Sequence, residues 1–409
     1  MATIPKLALI PSGVKATKVY SVLPTDGTGD FTFDRNLNTA TRVNSQGLIE
    51  MVAEDVPRLN YPLIDGVVQG CPSLLLEPLR TNLVTYSEEF DNGAWSKTRS
   101  SINANQIISP SGILNADKFI ENSDNNSHLL SRTTSVTAQD YVSSVFIKKG
   151  ERKKVRLRFD NTLTLRYAEF DLENGVVDLE SNSIASIENY GNGWYRCSIK
   201  VTATATTFYT VLQLLSDNGD LSYQGDGISG IYIWGAQVEA GTYATSYIPT
   251  TSAISTRSAE TCNGAGDAST FNDSEGVLFA EISTFDDTTI KIITIGDGTS
   301  SNRIQLFYFN GASIYGSCIV GGVSQASLFT NIDVSTNIKV AFKYKINDFA
   351  LWINGFEVGI DTSGTVPNGL NTLRFDSGVG TSNFYGNVKQ IQYFNTALSD
   401  EELTLLTTL

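Results

Sequence analysis

Residues 194–203 read Trp-Tyr-Arg-Cys-Ser-Ile-Lys-Val-Thr-Ala, and this stretch decides the fold class. Apolar and polar side chains alternate along it: Tyr195, Cys197, Ile199 and Val201 against Arg196, Ser198, Lys200 and Thr202. A period of two places the two sets on opposite faces of a β-strand. The stretch therefore predicts a strand with one apolar face turned to a core and one polar face turned away from it.

Comparable strand-like runs lie on both sides of this stretch. Within residues 87–257 they cover 140–148, 154–160, 165–171, 207–215 and 230–238. Turn sequences such as Asn174-Gly175 and Asn192-Gly193 separate them, and no helical period lies between them. Short strands at regular intervals predict a β-sandwich for residues 87–257.

The same rhythm resumes after a polar stretch at residues 249–259, which we interpret as a linker or an edge strand. The later runs cover 277–285, 290–296, 304–309, 314–320, 338–345, 349–353, 372–375 and 386–393. Asn354-Gly355 joins two runs and is a strong hairpin signal. Near the end, Ser399 and Glu402 match a capping box ahead of several leucines. These features predict a second β-sandwich over residues 258–409 that ends in a short helix.

The first 86 residues differ from the rest because they hold seven of the ten prolines. Proline fixes φ and removes a backbone donor, so long strands or helices are not expected there. Short β pieces are predicted at 14–22, 47–52 and 73–76. Such a segment needs a neighbour, which is a second domain, another subunit or a scaffold. The predicted fold class is all-β, with an irregular segment ahead of two sandwiches.

Composition excludes several classes of function. The 409 residues include 43 acidic and 29 basic ones, for a net charge of -14, which argues against a general nucleic-acid binder. A single histidine, His128, excludes a two-histidine metal site within the chain. The four cysteines lie far apart without a C-x-x-C pair and are interpreted as free, mostly buried thiols.

Targeting signals are absent from the sequence pattern. The apolar run at residues 7–10 is too short for the core of a signal peptide, and no run approaches the roughly 18 apolar residues of a membrane helix. We therefore expect a protein made in a cytoplasm, without membrane insertion.

Three stretches near the N-terminus carry a resemblance to a known family. They are Thr39-Ala-Thr-Arg-Val-Asn-Ser-Gln-Gly-Leu-Ile-Glu50, Val56-Pro-Arg-Leu-Asn-Tyr61 and Cys71-Pro-Ser-Leu-Leu-Leu-Glu-Pro-Leu-Arg-Thr-Asn-Leu83. Together they resemble a segment of tailed-phage tail-fibre and virion structural proteins. In that family the segment leads into a sandwich similar to carbohydrate-binding modules, and residues 192–197, 225–239 and 243–250 match that sandwich.

The last part of the chain resembles a different group. Leu351-Trp-Ile-Asn-Gly355 and residues 386–403 are similar to the hairpin and the closing strand and helix of laminin-G or concanavalin-like jelly rolls. This pattern is common to many lectin-like domains, so it implies a fold more firmly than it implies a ligand.

The resemblance implies a phage virion protein, as a tail fibre, spike or head fibre. It would use lectin-like jelly-roll domains to bind host surface glycans during adsorption. Residues 1–86 would attach it to other virion proteins or oligomerise it, and a homotrimer is expected because phage fibres are usually trimers. A capsid-decoration or baseplate role is the alternative, and a surface-polysaccharide depolymerase is a more distant one. We expect the protein to have no enzymatic activity and no cofactor.

The strongest enzymatic pattern is Glu169-Phe-Asp171-Leu-Glu173, because concanavalin-like glycoside hydrolases use E-x-D-x-E. Asn174-Gly175 follows at once and places Glu173 at a hairpin turn, and the pattern lies in the first sandwich. A structural role is therefore favoured. His128 stands alone in a polar loop and is interpreted as a surface residue.

Calcium is left open. Asp217, Asp220 and Asp226 lie in one loop region, and carboxylates with carbonyl oxygens are the ligands of a structural Ca²⁺ ion. No EF-hand spacing is present, so a solvated turn is the favoured interpretation.

One basic cluster stands out in this acidic chain, formed by Lys148, Lys149, Arg152, Lys153 and Lys154 and followed by Arg156 and Arg158. It predicts either a solvated cationic hairpin face or contact with an acidic subunit or an anionic glycan.

Aromatic side chains are the remaining candidates for glycan contact. Trp194, Trp234 and Trp352 lie in strands and are expected in cores. Tyr190, Tyr223 and Tyr315 lie in or next to predicted turns, so we name these three as candidate sugar contacts.

Overall fold

In the computed structural model, which describes residues 3–37, 39–161, 164–204, 206–285 and 288–409, the chain is built almost entirely from β-strands. Every ladder between the strands named below is antiparallel. The predicted all-β fold class is confirmed. Among the described residues, no helix is long and apolar enough to cross a membrane.

The N-terminal segment contains eleven short strands. They are β1 (Leu7–Leu9), β2 (Val14–Lys15), β3 (Lys18–Val19), β4 (Phe31–Asp34), β5 (Ala40–Val43), β6 (Ile49–Val52), β7 (Arg58–Asn60), β8 (Leu63–Ile64), β9 (Val67–Val68), β10 (Ser73–Leu76) and β11 (Arg80–Asn82). Each of these strands has only two to four residues, as expected for a segment without long strands, and they include the short β pieces predicted within 14–22, 47–52 and 73–76. Its prolines shorten the strands without preventing them from pairing.

The middle part forms two six-stranded sheets. Its strands are β12 (Ser96–Thr98), β13 (Ser100–Ile108), β14 (Leu114–Glu121), β15 (Asn125–Asn126), β16 (His128–Ser135), β17 (Asp140–Lys149), β18 (Lys154–Asp160), β19 (Tyr167–Asp171), β20 (Val176–Ser181), β21 (Ile184–Asn189), β22 (Trp194–Thr202), β23 (Thr207–Leu214), β24 (Tyr223–Gln224) and β25 (Gly230–Ala240). The sheet orders are β12-β16-β23-β18-β19-β20 and β13-β14-β25-β17-β22-β21.

The alternation in β22 is confirmed on its apolar side. Cys197, Ile199 and Val201 are buried in the core between the two sheets. The polar side differs from the prediction, because Arg196 and Ser198 are only 4% and 7% exposed. The Arg196 guanidinium donates to the Thr245 carbonyl at 2.7 Å, so this second face lies under residues that follow β25 and is not open.

The C-terminal part is the second sandwich. After β26 (Ser255–Arg257), its own elements are β27 (Thr261–Ala265), β28 (Glu275–Thr284), β29 (Lys291–Gly296), β30 (Arg303–Phe309), β31 (Ser313–Val320), β32 (Val323–Asn331), β33 (Ile338–Lys345), β34 (Phe349–Ile353), β35 (Phe356–Asp361), β36 (Thr372–Arg374), β37 (Gly386–Phe394) and α1 (Asp400–Thr407). The predicted capping box at Ser399 and Glu402 is present.

Strands of the N-terminal segment complete both sheets of this second sandwich. One sheet runs β35-β34-β33-β28-β37-β10-β7, with β1 also paired to β37, and the other runs β2-β3-β4-β27-β36-β29-β30-β31-β32. Leu7 lies opposite Tyr393, and Leu74 lies opposite Val388. The neighbour that the segment was expected to need is therefore within the same chain. The boundaries at residues 86 and 257 stay predictions.

Two smaller expectations are confirmed. Trp194, Trp234 and Trp352 are buried. The four cysteines are free thiols, of which Cys71 is exposed and the other three are buried.

Candidate functional site

A cleft opens where the N-terminal segment meets the outer face of the middle sandwich. It consists of two adjoining cavities of about 510 and 500 Å³, which share Val43, Asn60, Glu188 and Tyr190 in their walls. We call these two cavities the Tyr190 cleft. Their size falls in the range of small-molecule binding sites in proteins.

The first wall is the edge of the sheet that ends in β22 and β21. Antiparallel register places Glu188 opposite Arg196 and Ser186 opposite Ser198, and the two serine hydroxyls are 2.7 Å apart. Because successive strand residues point to opposite faces, the even-numbered residues of both strands share the face that lines the cleft. The alternation seen in the sequence is thus the reason that polar groups line this wall.

The second wall is the N-terminal segment, and hydrogen bonds hold it in place. The Thr41 hydroxyl donates to the Tyr247 carbonyl at 2.6 Å, and the Val43 amide donates to the Asn60 side chain at 2.8 Å. Residues 242–247 and 283–285 close the far end of the larger cavity. The cleft is therefore built from all three parts of the chain.

A network of completely buried ion pairs lies behind this wall. Glu260 pairs with Arg35 at 3.0 Å and also with Arg58, while Glu77 pairs with Arg58 at 2.7 Å and with Arg257 at 3.0 Å. Burial alone would raise the pKa of Glu77, but Arg257 and Arg58 beside it lower that pKa to about 2. Each buried charge needs its partners, so the network fixes the N-terminal segment against residues 257–260.

Three tyrosines line the smaller cavity: Tyr61, Tyr190 and Tyr195. Tyr190 packs edge-on against Phe146, with ring centroids 4.9 Å apart, and burial raises the pKa of its hydroxyl to about 12. Tyr61 is half-buried, and it makes no ring contact with the described residues. The ring of Tyr61 is therefore the one best placed to offer a face to a ligand.

Several polar groups of the cleft keep hydrogen-bonding capacity. The Asn60 and Asn189 side chains each accept one backbone N–H through oxygen. Within the described part of the chain, their amide nitrogens and the Glu188 carboxylate have no hydrogen-bond partner. An amide nitrogen donates and a carboxylate accepts, so the cleft offers both kinds of partner to a hydroxyl-rich ligand.

Of the three predicted tyrosines, only Tyr190 lines this cleft. Tyr223 lies in a closed cluster, with its hydroxyl donating to Glu121 at 2.7 Å and the Arg152 guanidinium 4.9 Å from its ring centre. The ring of His128 also packs against Tyr223, with the two ring centroids 5.0 Å apart. The surroundings of Tyr223 are thus those of a structural residue.

Tyr315 is sandwiched on the outer face of the second sandwich. Phe307 and Phe329 stack on it with centroid distances of 4.8 Å each and interplanar angles of 12° and 14°. Both faces of the Tyr315 ring are covered, so it has no face left for a sugar. Only the edges of this aromatic ladder remain available.

The three aspartates proposed for calcium are not gathered into one group in the described part of the chain. Asp220 accepts a hydrogen bond from Ser216 at 2.7 Å, and Asp226 accepts from the Ser229 amide at 2.7 Å in a local turn. Among the residues that the structure describes, no group of three or more His, Cys, Asp or Glu side chains could hold a metal ion, and this includes Asp217.

The basic cluster is neutralised by its own neighbours. Lys149 and Lys153 pair with Glu173, Lys154 pairs with Asp178, and Arg152 pairs with Glu121. Lys148 donates to the Asn192 carbonyl at 2.6 Å. The cluster is therefore a salt-bridged surface rather than an open cationic patch, and its role in binding stays a prediction.

The same ion pairs account for the E-x-D-x-E pattern. Glu169 pairs with Arg156, Asp171 caps the following turn by accepting from the Glu173 amide at 2.8 Å, and Glu173 holds two lysines. The interpretation of His128 as a surface residue is wrong: it is fully buried in β16, with its Nδ1 2.8 Å from the Arg99 carbonyl oxygen.

Tyr61, Tyr195 and Asn60 were missed by sequence reasoning. Tyr195 was placed in the core because its position in the alternation is apolar, yet it lies at the end of the sheet where the core opens. Asn60 and Tyr61 belong to Val56-Pro-Arg-Leu-Asn-Tyr61, a stretch that the sequence marks only by its resemblance. Their meeting with Tyr190 depends on a long-range contact that no local pattern encodes.

Comparison with known proteins gives distant likenesses only. No protein-family model and no curated protein sequence matches the chain. A carbohydrate-binding module (CBM40) of the intramolecular trans-sialidase of Ruminococcus gnavus is 16% identical, with a TM-score of 0.31, and covers 36% of this chain and 94% of its own. Mouse laminin α1 domains LG4-5 are 11% identical, with a TM-score of 0.24, over 68% of this chain and 90% of theirs.

A third likeness spans nearly the whole chain. The Trypanosoma rangeli sialidase, in complex with the inhibitor DANA, is 11% identical with a TM-score of 0.30 and covers 96% of this chain and 82% of its own. Likenesses this distant say nothing about what the present chain binds, and the site must be judged on its own geometry.

Proposed function

We propose that this chain is a glycan-binding protein and that the Tyr190 cleft is its binding site. The observation that carries the proposal is the composition of the cleft wall, where three tyrosine rings lie beside amide nitrogens and a carboxylate that make no hydrogen bond with the described residues. A sugar presents apolar C–H faces together with many hydroxyls, so it requires aromatic and polar groups side by side.

The alternatives are less well supported by the geometry. The other two predicted tyrosines have covered or closed surroundings, and the carboxylates of the hydrolase-like pattern are engaged in ion pairs and a turn. Among the described residues, the Tyr190 cleft brings tyrosine rings and hydrogen-bonding groups together.

The test is a glycan array probed with the full chain and with Tyr61→Ala. We expect the substitution to weaken binding severalfold, up to about tenfold, because it removes a stacking ring worth roughly 0.5–1.5 kcal/mol. The ring is half-buried and belongs to no core cluster among the described residues, so the fold should survive.

Tyr20→Ala is the matched control, since Tyr20 is a part-exposed tyrosine of the same segment and lies outside the cleft. Equal binding by both variants would place any glycan site elsewhere. A full chain that binds nothing on a broad array would contradict the proposed function itself.

We further propose that the chain acts in a phage virion during adsorption, as a tail fibre, spike or head fibre. The support is the resemblance of residues 39–50, 56–61 and 71–83 to virion structural proteins. Immunogold labelling of purified particles with an antibody to this chain tests it. Label confined to the host lysate, with none on particles, would contradict it.

A homotrimer remains part of this proposal with less support than before. The trimer was expected because phage fibres are usually trimers and because self-association would stabilise the N-terminal segment, and that segment pairs with strands of its own chain. Sedimentation equilibrium of the full chain, which has a mass of 44.4 kDa, distinguishes a trimer from a monomer.

A further inference from the structure

A row of stacked aromatic rings crosses the outer face of the second sandwich and ends at an exposed ring. Phe307, Tyr315 and Phe329 lie opposite one another on β30, β31 and β32, and neighbouring ring centroids are 4.8 Å apart. This distance matches the spacing of paired strands, so the rings follow the strand pairing. β32 is the last strand of its sheet, and Phe329 is 53% exposed, with its only ring contact among the described residues at Tyr315. The row therefore stops at a ring whose outward face is open.

The backbone of β32 is open on the same side. The Ile332 amide donates to the Ala312 carbonyl at 2.9 Å, and hydrogen-bonded and non-hydrogen-bonded pairs alternate along an antiparallel ladder. Ser327, Phe329 and Asn331 therefore direct their N–H and C=O groups away from β31. In the described part of the chain, no strand pairs with β32 on that side.

Most edge strands carry a charge, a bulge or a proline that prevents pairing with another chain. In the middle sandwich, the edge strands β20 and β21 carry Asp178 and Glu188, and β13 loses its regular register after Asn103. β32 is a nine-residue strand without a charged residue, and its register shift lies near its start, between Ser324 and Ala326. The rest of this strand is thus an unprotected edge.

A loop covers only the start of this edge. The Gln325 side chain accepts the Thr365 amide at 3.2 Å and the Thr365 hydroxyl at 3.1 Å. Ser327, Phe329 and Asn331 lie beyond this contact, so the part of β32 with outward-facing backbone groups is accessible.

We propose that β32 pairs with β32 of a second copy of this chain, antiparallel and about a two-fold axis at Phe329. This register places Phe329 opposite its own counterpart and Ser327 opposite the counterpart of Asn331, so each outward N–H meets a C=O. The two Phe329 rings then stack and join the two aromatic rows into one. A second copy suits an uncharged strand, because a charged residue at the axis would face the same charge.

This contact forms a dimer and goes no further, because it uses the free edge of β32 in both copies. A homotrimer would have to use another surface. The dimer does not depend on glycan binding, but it would carry two Tyr190 clefts and so hold a multivalent glycan surface more tightly than one copy does.

Sedimentation equilibrium of the full chain at increasing concentration is the test. We expect a reversible change from the 44.4 kDa monomer to a particle of twice that mass. Phe329→Lys removes the central stack and places like charges opposite each other, so it should raise the dimer dissociation constant at least about tenfold. Leu179→Lys, at an exposed leucine of the edge strand β20, is the matched control and should leave that constant unchanged.

Ser327→Pro tests the backbone pairing separately. It removes an outward N–H that β31 does not use, so the sheet should be retained while dimerisation weakens several-fold. The melting temperature of each variant verifies that it is folded.

The outcomes bear on β32 directly. Loss of the dimer in either folded variant, with the Leu179→Lys dimer intact, is the expected result. A full chain that stays monomeric or forms a trimer would overturn the two-fold contact, and so would a dimer that Phe329→Lys and Ser327→Pro both leave unchanged. Neither measurement involves a glycan, so a failure here leaves the proposed function untouched.

Discussion

Single residues of the buried network decide how firmly the walls of the cleft are held. The Glu260 side chain has no exposed surface, and it holds Arg35 and Arg58 while also accepting the Glu77 amide at 2.9 Å. Removing one member of a buried ion pair leaves the partner charge unsatisfied. Glu260, which lies 183 residues after Glu77 in sequence, therefore contributes more to the stability of the fold than an exposed ion pair does.

Glu260→Gln should lower the free energy of unfolding by about 3–5 kcal/mol, because buried Arg35 loses its counter-ion and buried Arg58 keeps only Glu77. Urea unfolding followed by tryptophan fluorescence measures the change. Glu50→Gln is the control, since its pair with Arg42 is part-exposed and should be worth less than about 1 kcal/mol. Equal losses for the two variants would contradict a stabilising role of the buried network.

Asp117 gives the stability a pH dependence of the opposite sign to that of a salt-bridged carboxylate. It is 1% exposed, accepts the Phe90 and Asn105 amides at 3.0 and 2.9 Å, and has no ion pair among the described residues. Burial raises the pKa of Asp117 to about 6. A carboxyl whose folded pKa exceeds its unfolded value of about 3.9 releases its proton more readily on unfolding, so stability is lost as pH rises between the two.

Relative to Asp117→Asn, the wild-type chain should therefore lose thermal stability between pH 4 and pH 7. Melting temperatures of both proteins at pH 4, 5.5 and 7 measure this difference. Asp124→Asn, at an exposed aspartate of the same sandwich, is the control for the loss of a carboxylate at a site that is not buried. A wild-type advantage that grows with pH would contradict the assignment to Asp117.

At the scale of elements, the sequence predicts what local patterns encode. The alternation in residues 194–203 identifies β22, Asn354-Gly355 identifies the hairpin of β34 and β35, and Ser399 with Glu402 identifies the start of α1. Each of these depends on residues within a few positions of one another, because strand alternation, turns and caps are local.

What the sequence could not predict is long-range pairing. The strand β10, at residues 73–76, was predicted, but its partner β37 lies more than 300 residues away. Nothing in Ser73–Leu76 specifies that partner, because many apolar strands of suitable length are available in the chain. The same holds for the site: Tyr190 was a candidate, whereas Tyr61 reaches it only through the folding of the N-terminal segment.

At the scale of the whole molecule, the N-terminal segment is an integral part of the second sandwich. It contributes side chains to that core, namely Leu7, Leu9, Val19, Phe31, Phe33, Leu74 and Leu76. Its strands β1 and β10 also cover the edge of β37 that β28 does not pair with. The middle sandwich is thus inserted, in sequence, between the two pieces of another folded unit.

A fragment of residues 87–409 should therefore fail to fold in its second sandwich, because it loses seven buried apolar side chains and exposes an unpaired strand edge. We expect it to aggregate or to show only one thermal transition, that of the middle sandwich. The matched control is the full chain cleaved between residues 86 and 87, whose two pieces should remain together in gel filtration and melt like the intact chain. Adding a peptide of residues 1–86 during refolding should rescue the fragment. A soluble 87–409 fragment with the melting profile of the full chain would show instead that the segment is an appendage, and that the walls of the Tyr190 cleft are not held by folding of the second sandwich.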